Sequence, residues 1–491
     1  MPVLLLSLVL ACVKPAPIEV AGAMSTLEDD VPARPRNVIL MIGDGMGPQQ
    51  LGLLEAYAYS VPSSPFAGRG TSFARLAERG TIGLSLHSPA DGLVTDSACS
   101  ATQLALGEPS RNGLIGVDAD GHVQPNLRER AAERGLATGI VSDTRITHAT
   151  PASFLAHAAS RRDENGIAAQ IVASDVDVAL SGGKRFFVAE GGRREDGRDL
   201  IAEATAAGFD VVDDAEGLAA AGPRVLGLFG DGAVPDALSA QEKPDMPSLA
   251  AMTEAALTRL DADPDGFFLM VEGGQIDWAA HSNDAGWMLA ELVRFEAAVA
   301  VVVAYAESHP DTLLVVTADH ETGGFGLSPS AEMAVETTPL NPELFPEGYT
   351  PHESPMDASA LEKLAAQPYP VYGLLKDYDD GLTADVLVAR VAEDWGYELS
   401  VAQAERILSD TPMTELLGHF PEGKDGAIFA LPRVLADQTG AVWATSGHTH
   451  TPVPVLAVGP GSEAFGGLLH HVGLGRSLRE LVAPEATPAE E

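Results

Sequence analysis

Cysteine is almost missing from this chain: two occur in 491 residues, Cys12 and Cys99. If Cys12 is lipidated or removed, an intrachain disulfide is excluded, and stability has to come from core packing and bound metal ions. Basic residues are scarce as well, 30 against 70 acidic, for a net charge of −40. That deficit argues against a nucleic-acid partner, because phosphate backbones are bound by basic surfaces. It gives instead a strongly hydrated surface. There is no internal repeat and no apolar run, that of the first residues included, long enough to cross a bilayer. Disorder is excluded in turn by a hydrophobic content of 45%. A chain of this length and content buries a large core.

The first twelve residues, Met1 to Cys12, form a short apolar run that reads as the hydrophobic part of a secretory signal. Its end, Val9-Leu10-Ala11-Cys12, resembles a bacterial lipoprotein cleavage site with Cys12 as the lipidated residue, although Leu10 is large and no Lys or Arg precedes the run. A periplasmic or extracellular location, with membrane anchoring through Cys12, is the expectation; a plain signal peptide is the alternative. Residues 1–36 are thus leader and Pro- and Ala-rich flexible tether, 37–482 the main domain, and 483–491 a low-complexity tail. Between these ends, aliphatic runs alternate with Ala/Leu/Glu/Arg helical patterns, which predicts an α/β domain with a mainly parallel sheet sandwiched by helices. Within about 328–411 the pattern weakens, with a helical stretch near Leu382 to Trp395, and this reads as an insertion serving as surface decoration or a dimer contact.

Four aliphatic runs matter: Asn37–Ile42 ending at Gly43-Asp44-Gly45, Phe267–Val271 ending at Glu272, Leu313–Thr317 ending at Asp319-His320, and Pro454–Val458 following His448. Ligand sites in open α/β sheets lie at the carboxyl ends of strands. Ser97 begins a predicted helix that Asp96 or Thr95 caps and that ends near Gly107, so it sits where unpaired backbone N–H groups favour an anion. Asp277 and His281 are four apart, on one face of a predicted helix, and a carboxylate with an imidazole on adjacent turns suits zinc. Asp319-His320 and His448 add further metal-type donors. His148 and Thr150 precede Arg161, placed one to two helical turns downstream, and arginine suits phosphate by its planar donor fork. Carboxylates and histidines of this number fit two transition-metal sites plus a harder oxygen site.

Six segments in order carry a family likeness: Asn37 to Gly47 (NVILMIGDGMG), Thr95 to Thr102 (TDSACSAT), His148 to Arg161, Val271 to His281 (VEGGQIDWAAH), Val316 to Gly324 (VTADHETGG) and Gly447 to Val455. They resemble the alkaline phosphatase family over roughly Arg36 to Leu481. The resemblance implies hydrolysis of phosphate monoesters with Ser97 as the phosphorylated nucleophile and Arg161 as the phosphate clamp. It implies two zinc ions, the first on Asp277, His281 and His448 and the second on Asp44, Asp319 and His320. It implies one magnesium ion on Thr150, Glu272 and the bridging Asp44, with an inserted cap or crown segment and a homodimer. His148 stands where some relatives carry Asp and Trp278 where those carry Lys. Imidazole suits a hard ion poorly, so His148 is expected to act through a metal-bound water beside Trp278. Rival readings are a phosphodiesterase of the same superfamily, which would not need the Thr150–Glu272 site, and a non-catalytic phosphate-binding lipoprotein. A sulfatase lacks its Cys/Ser-x-Pro-x-Arg signal here. His157, His450, His470 and His471 read as structural, and Cys99 as a small buried side chain.

Overall fold

The aliphatic runs pair side by side as strands. The computed structural model describes residues 34–240, 243–328, 358–409 and 423–483. The leader with Cys12, the tail from 484 and part of the insertion lie outside the described residues. Among the described residues fourteen strands occur in chain order: β1 Asn37–Gly43, β2 Thr81–Leu86, β3 Ala137–Arg145, β4 Val178–Gly182, β5 Asp210–Val212, β6 Val225–Leu228, β7 Phe267–Gly273, β8 Thr312–Thr317, β9 Glu321–Thr322, β10 Phe325–Leu327, β11 Ala441–Trp443, β12 His448–Thr449, β13 Val453–Val458 and β14 Gly467–His470.

Ten of them build one sheet in the order β14-β2-β13-β8-β1-β7-β3-β4-β6-β5. Its central strand β1 is fully buried and lies parallel to both β7 and β8. Alternate side chains of β1 enter two separate cores, Ile39 and Met41 on one face, Val38, Leu40 and Ile42 on the other. A strand buried on both faces reads as a continuous apolar run, and that is why these segments are so uniformly aliphatic. Within the sheet β13 runs antiparallel to its neighbours β2 and β8. Its start therefore lies at the same edge as the ends of β1, β7 and β8. His448, which precedes β13, is delivered to that edge and held there by the two-residue ribbon pairing His448 with Thr322 and Thr449 with Glu321.

The inserted region is bracketed by pairing of β10 with β11. Its Ala358–Ala365 helix sends Leu361 and Leu364 into the main core, while side chains from Val371 to Leu435 form an apolar cluster of their own. Buried Asp284 ties the two together, accepting hydrogen bonds from Trp287 N at 3.0 Å, Gln367 Nε2 at 2.8 Å and Val371 N at 2.7 Å.

One local expectation fails. The Ala-rich stretch after His148 is helical only over Ala149–Ser153. His157 and Arg161 lie beyond it, fixed by a bridge between Ile115 and Ala158 and by Arg161 N donating to Gly113 O at 2.8 Å. Pairing with the Ile115 segment overrides the helix propensity of alanine. Among the described residues no helix is long and apolar enough to cross a membrane.

Candidate active site

Ser97 opens the Ser97–Leu106 helix, whose N-cap Asp96 accepts Cys99 N at 3.0 Å and whose C-cap Gly107 adopts φ 69. The cap and the stop are those expected from sequence. Ser97 is only 2% exposed, and its Oγ lies 3.2 Å from His320 Nε2. Cys99 is buried, and burial pushes its thiol up to about 12.

Around Ser97 the strand ends bring together three groups of donors: Asp277, His281 and His448; Asp44, Asp277 and His320; Asp44, Glu272 and His148. In the first group the Gln275–His281 helix places Asp277 and His281 one turn apart, with His281 Nε2 3.3 Å from Asp277 Oδ2. His281 Nδ1 faces Ser446 O at 2.5 Å and His448 Nδ1 faces Thr95 O at 2.7 Å. A carbonyl only accepts, so each Nδ1 carries the proton and the two Nε2 lone pairs face one another at 3.1 Å. That donor set fits a cation.

In the second group His320 is fully buried, with Nε2 3.5 Å from Asp44 Oδ1 and 3.2 Å from Asp319 Oδ2. Thr322 Oγ1 donates to Asp277 and lies 3.2 Å from His320 Nδ1, from which it accepts. This relay fixes the His320 tautomer and aims a bare Nε2 at Ser97, Asp319 and Asp44. Asp277 thus stands between the two groups, where the sequence assigns it to the first alone. Ser100 Oγ donates to Asp319 Oδ2 at 3.2 Å.

In the third group both Asp44 carboxylate oxygens, Thr150 Oγ1 and Glu272 Oε1 are buried without a hydrogen-bond partner. Ser142 and Thr144 occupy Glu272 Oε2. Unpartnered buried oxygens are costly unless a cation meets them. Burial, reinforced by the neighbouring carboxylates, raises Asp44 well above the carboxylate range, and burial is also the first cause that lifts Asp319 to about 7 and Glu272 to about 8.

Arg161 donates to Asp96 Oδ2 at 3.1 Å and to His148 Nε2 at 3.3 Å. Arginine only donates, so His148 Nε2 is the acceptor and the ring proton sits on the buried, unpartnered Nδ1. Burial and the guanidinium groups of Arg161 and Arg145 keep this imidazole neutral. Trp278 packs edge-on against His148 at 5.8 Å, with Arg145 over its own ring.

Every residue expected from sequence lies at this edge. Those missed are hydroxyls: Thr322, Ser100, Ser142 and Thr144; His471, read as structural, donates through Nε2 to Asp319 O at 2.8 Å. His157 instead bonds Gly116 O and Glu129, away from the donors.

The family profile described as alkaline phosphatase matches residues 35–384. Alkaline phosphatase 4 of Bacillus subtilis is 34% identical over 447 residues, covering 89% of this chain and 86% of its own. The crystal structure of Thermus thermophilus alkaline phosphatase superposes with a TM-score of 0.79 at 30% identity, covering 92% of each chain. A histidine-to-aspartate mutant of the TAB5 alkaline phosphatase with magnesium in its M3 site superposes with a TM-score of 0.63 at 26% identity, covering 91% of this chain and 98% of that one.

Proposed function

The chain belongs to the alkaline phosphatase family of metal-dependent phosphomonoesterases, and from that premise we propose that it hydrolyses phosphate monoesters through a phosphoseryl intermediate on Ser97. One observation carries the reading: the Ser97 hydroxyl lies 3.2 Å from His320 Nε2, where three donor groups converge.

Asp277, His281 and His448 would hold one zinc ion, and Asp44, Asp319 and His320 a second. Two imidazoles with a carboxylate, and two carboxylates with an imidazole, are donor sets that zinc accepts. Thr150, Glu272 and Asp44 offer only oxygen, which suits magnesium completed by water. When bound, such ions supply positive charge that favours the serine alkoxide and steadies the leaving oxygen.

The chain's own residues do the rest. Asp96 caps the helix so that Ser97 sits in its first turn, where backbone N–H groups favour an anion. The Thr322 relay keeps His320 Nε2 free of a proton beside the hydroxyl. Arg161, steadied by Asp96 and His148, offers its guanidinium to the phosphoryl oxygens. Ser97 Oγ gives up its proton and bonds phosphorus as the ester oxygen departs with the bonding electron pair and takes up a proton. Water then gives up a proton and bonds phosphorus as Oγ leaves with its electron pair and is reprotonated, so two in-line displacements retain configuration. His148, with its proton on Nδ1, would donate to a metal-bound water of the third group and not ligate through that atom.

The test is removal and return of metal. Chelated protein should lose activity on an aryl phosphate monoester, zinc should restore it, and magnesium should add to zinc without replacing it. Full activity after thorough stripping, or equal turnover of a phosphate diester, contradicts the reading. Anchoring through Cys12 is proposed separately. Cys12→Ser should release the protein from bacterial membranes, and a fully soluble wild type overturns anchoring alone.

A further inference from the structure

A cavity of about 420 Å³ opens beside the phosphate clamp, lined by Asp96, Arg145, His148, Arg161, Arg162 and Glu164. Three guanidinium groups meet two carboxylates there, in a chain with 30 basic and 70 acidic residues. Two of the arginines are already engaged. Arg145 holds Glu164 through Nε at 2.8 Å and a terminal nitrogen at 3.2 Å, and Arg161 holds Asp96. Arg162 differs. It is exposed, only its backbone nitrogen is held, by Ser160 Oγ at 3.2 Å, and among the described residues its guanidinium pairs with no carboxylate.

Arg161 is half-buried and bonded to His148, whereas the next residue, Arg162, is exposed at the cavity's solvent side. Both residues line the one cavity, so a substrate whose phosphoryl group is clamped by Arg161 has Arg162 within its reach. The cavity is polar and larger than one phosphoryl group needs.

We infer that this cavity is an anion subsite in which Arg162 receives a second phosphoryl group carried by the leaving alcohol, so that bisphosphorylated compounds are preferred over the matching monophosphates. This rests on the phosphatase reading above. The unpaired planar fork matches a phosphate edge and loses no existing partner on binding. Against a net charge of −40, attraction for a dianion at this wall comes from the unpaired guanidinium itself.

The experiment compares kcat/KM for propanediol bisphosphate and propanediol monophosphate on protein loaded with zinc and magnesium. Wild type should favour the bisphosphate. Arg162→Gln should lower that ratio about three- to fivefold, through KM, which is what an exposed ion pair is worth. Arg162→Glu should lower it further. Arg406→Gln, an exposed charge on the inserted helix Val401–Ile407, controls for loss of one positive charge anywhere. A ratio unchanged in Arg162→Gln, or changed equally in Arg406→Gln, overturns the subsite. If wild type hydrolyses neither compound, the phosphatase reading fails instead, and the subsite is judged on the same ratio of dissociation constants measured by calorimetry.

Discussion

Thr322 holds two metal-type residues in register with one hydroxyl, donating to Asp277 and accepting from His320. Threonine in that position is unremarkable in sequence, whereas Asp319-His320 two residues earlier stands out by residue type alone. That contrast explains what was legible: carboxylates, imidazoles and the capped serine announce themselves, and the hydroxyls that orient them do not. Thr322→Val keeps the shape and removes the relay. It should lower kcat/KM about 10- to 100-fold and weaken zinc binding, as loss of a residue supporting a ligand does. Wild-type zinc affinity and turnover in this variant would contradict the relay. His148 and Trp278 form a second testable pair. An aspartate at 148 replaces a neutral imidazole with a carboxylate beside the oxygen-rich group, so His148→Asp should shift magnesium activation to lower concentration. Trp278→Lys adds a cation near the clamp and should tighten inhibition by inorganic phosphate. An unmoved phosphate inhibition constant, or a magnesium curve shifted the other way, breaks this account of the third group.

Between elements, a close fit that bears on the site is at the turn after β1. Gly45 adopts φ +74, and a Cβ there would stand 2.8 Å from the Asp277 backbone. Its N–H also donates to Asp319 Oδ1 at 3.2 Å, and its carbonyl accepts Thr322 N at 3.2 Å. Gly45→Ala therefore strains the backbone and displaces the Asp277 helix together. The expected cost is about 1–3 kcal/mol of stability, with a larger proportional loss of zinc affinity; urea unfolding with and without zinc separates the two. A variant as stable as wild type that binds zinc normally would contradict this packing. The sequence identified the strands at this edge because doubly buried strands read as unbroken aliphatic runs. It could not give the direction of β13, because antiparallel pairing leaves no mark in a short apolar run, yet that direction is what brings His448 to the others. The overlong helix through Arg161 failed for the opposite reason: local propensity was strong, and a bridge to Ile115, distant in sequence, prevailed.

At the scale of the whole molecule, a chain of net charge −40 buries Asp44, Glu272, Asp277 and Asp319 together at one sheet edge. Without cations this costs stability in a pH-dependent way. Burial lifts Asp319 to about 7 from 3.8 and Glu272 to about 8 from 4.5, so the folded apoprotein holds protons that the unfolded chain has released. Groups raised in the fold contribute stability below their unfolded pKa and lose it as pH rises through the folded value. Asp277 is depressed and stays ionised in both states across this range. His148 and His320 are depressed and neutral in both states above pH 7. Apoprotein should therefore lose stability from pH 7 to pH 9, while the zinc- and magnesium-loaded protein should not, because bound cations keep the carboxylates ionised. Thermal melting of both forms across that window is the check; parallel curves would mean that the buried carboxylates do not form the metal site. The central claim, that phosphoryl transfer passes through Ser97, is met most directly by acid-quenching the metal-loaded enzyme during turnover of an aryl phosphate and locating the trapped phosphoryl group by peptide mass spectrometry. One phosphoryl group on Ser97, absent from Ser97→Ala, is the predicted result, and a label on any other residue, or none while turnover proceeds at acidic pH, would contradict it.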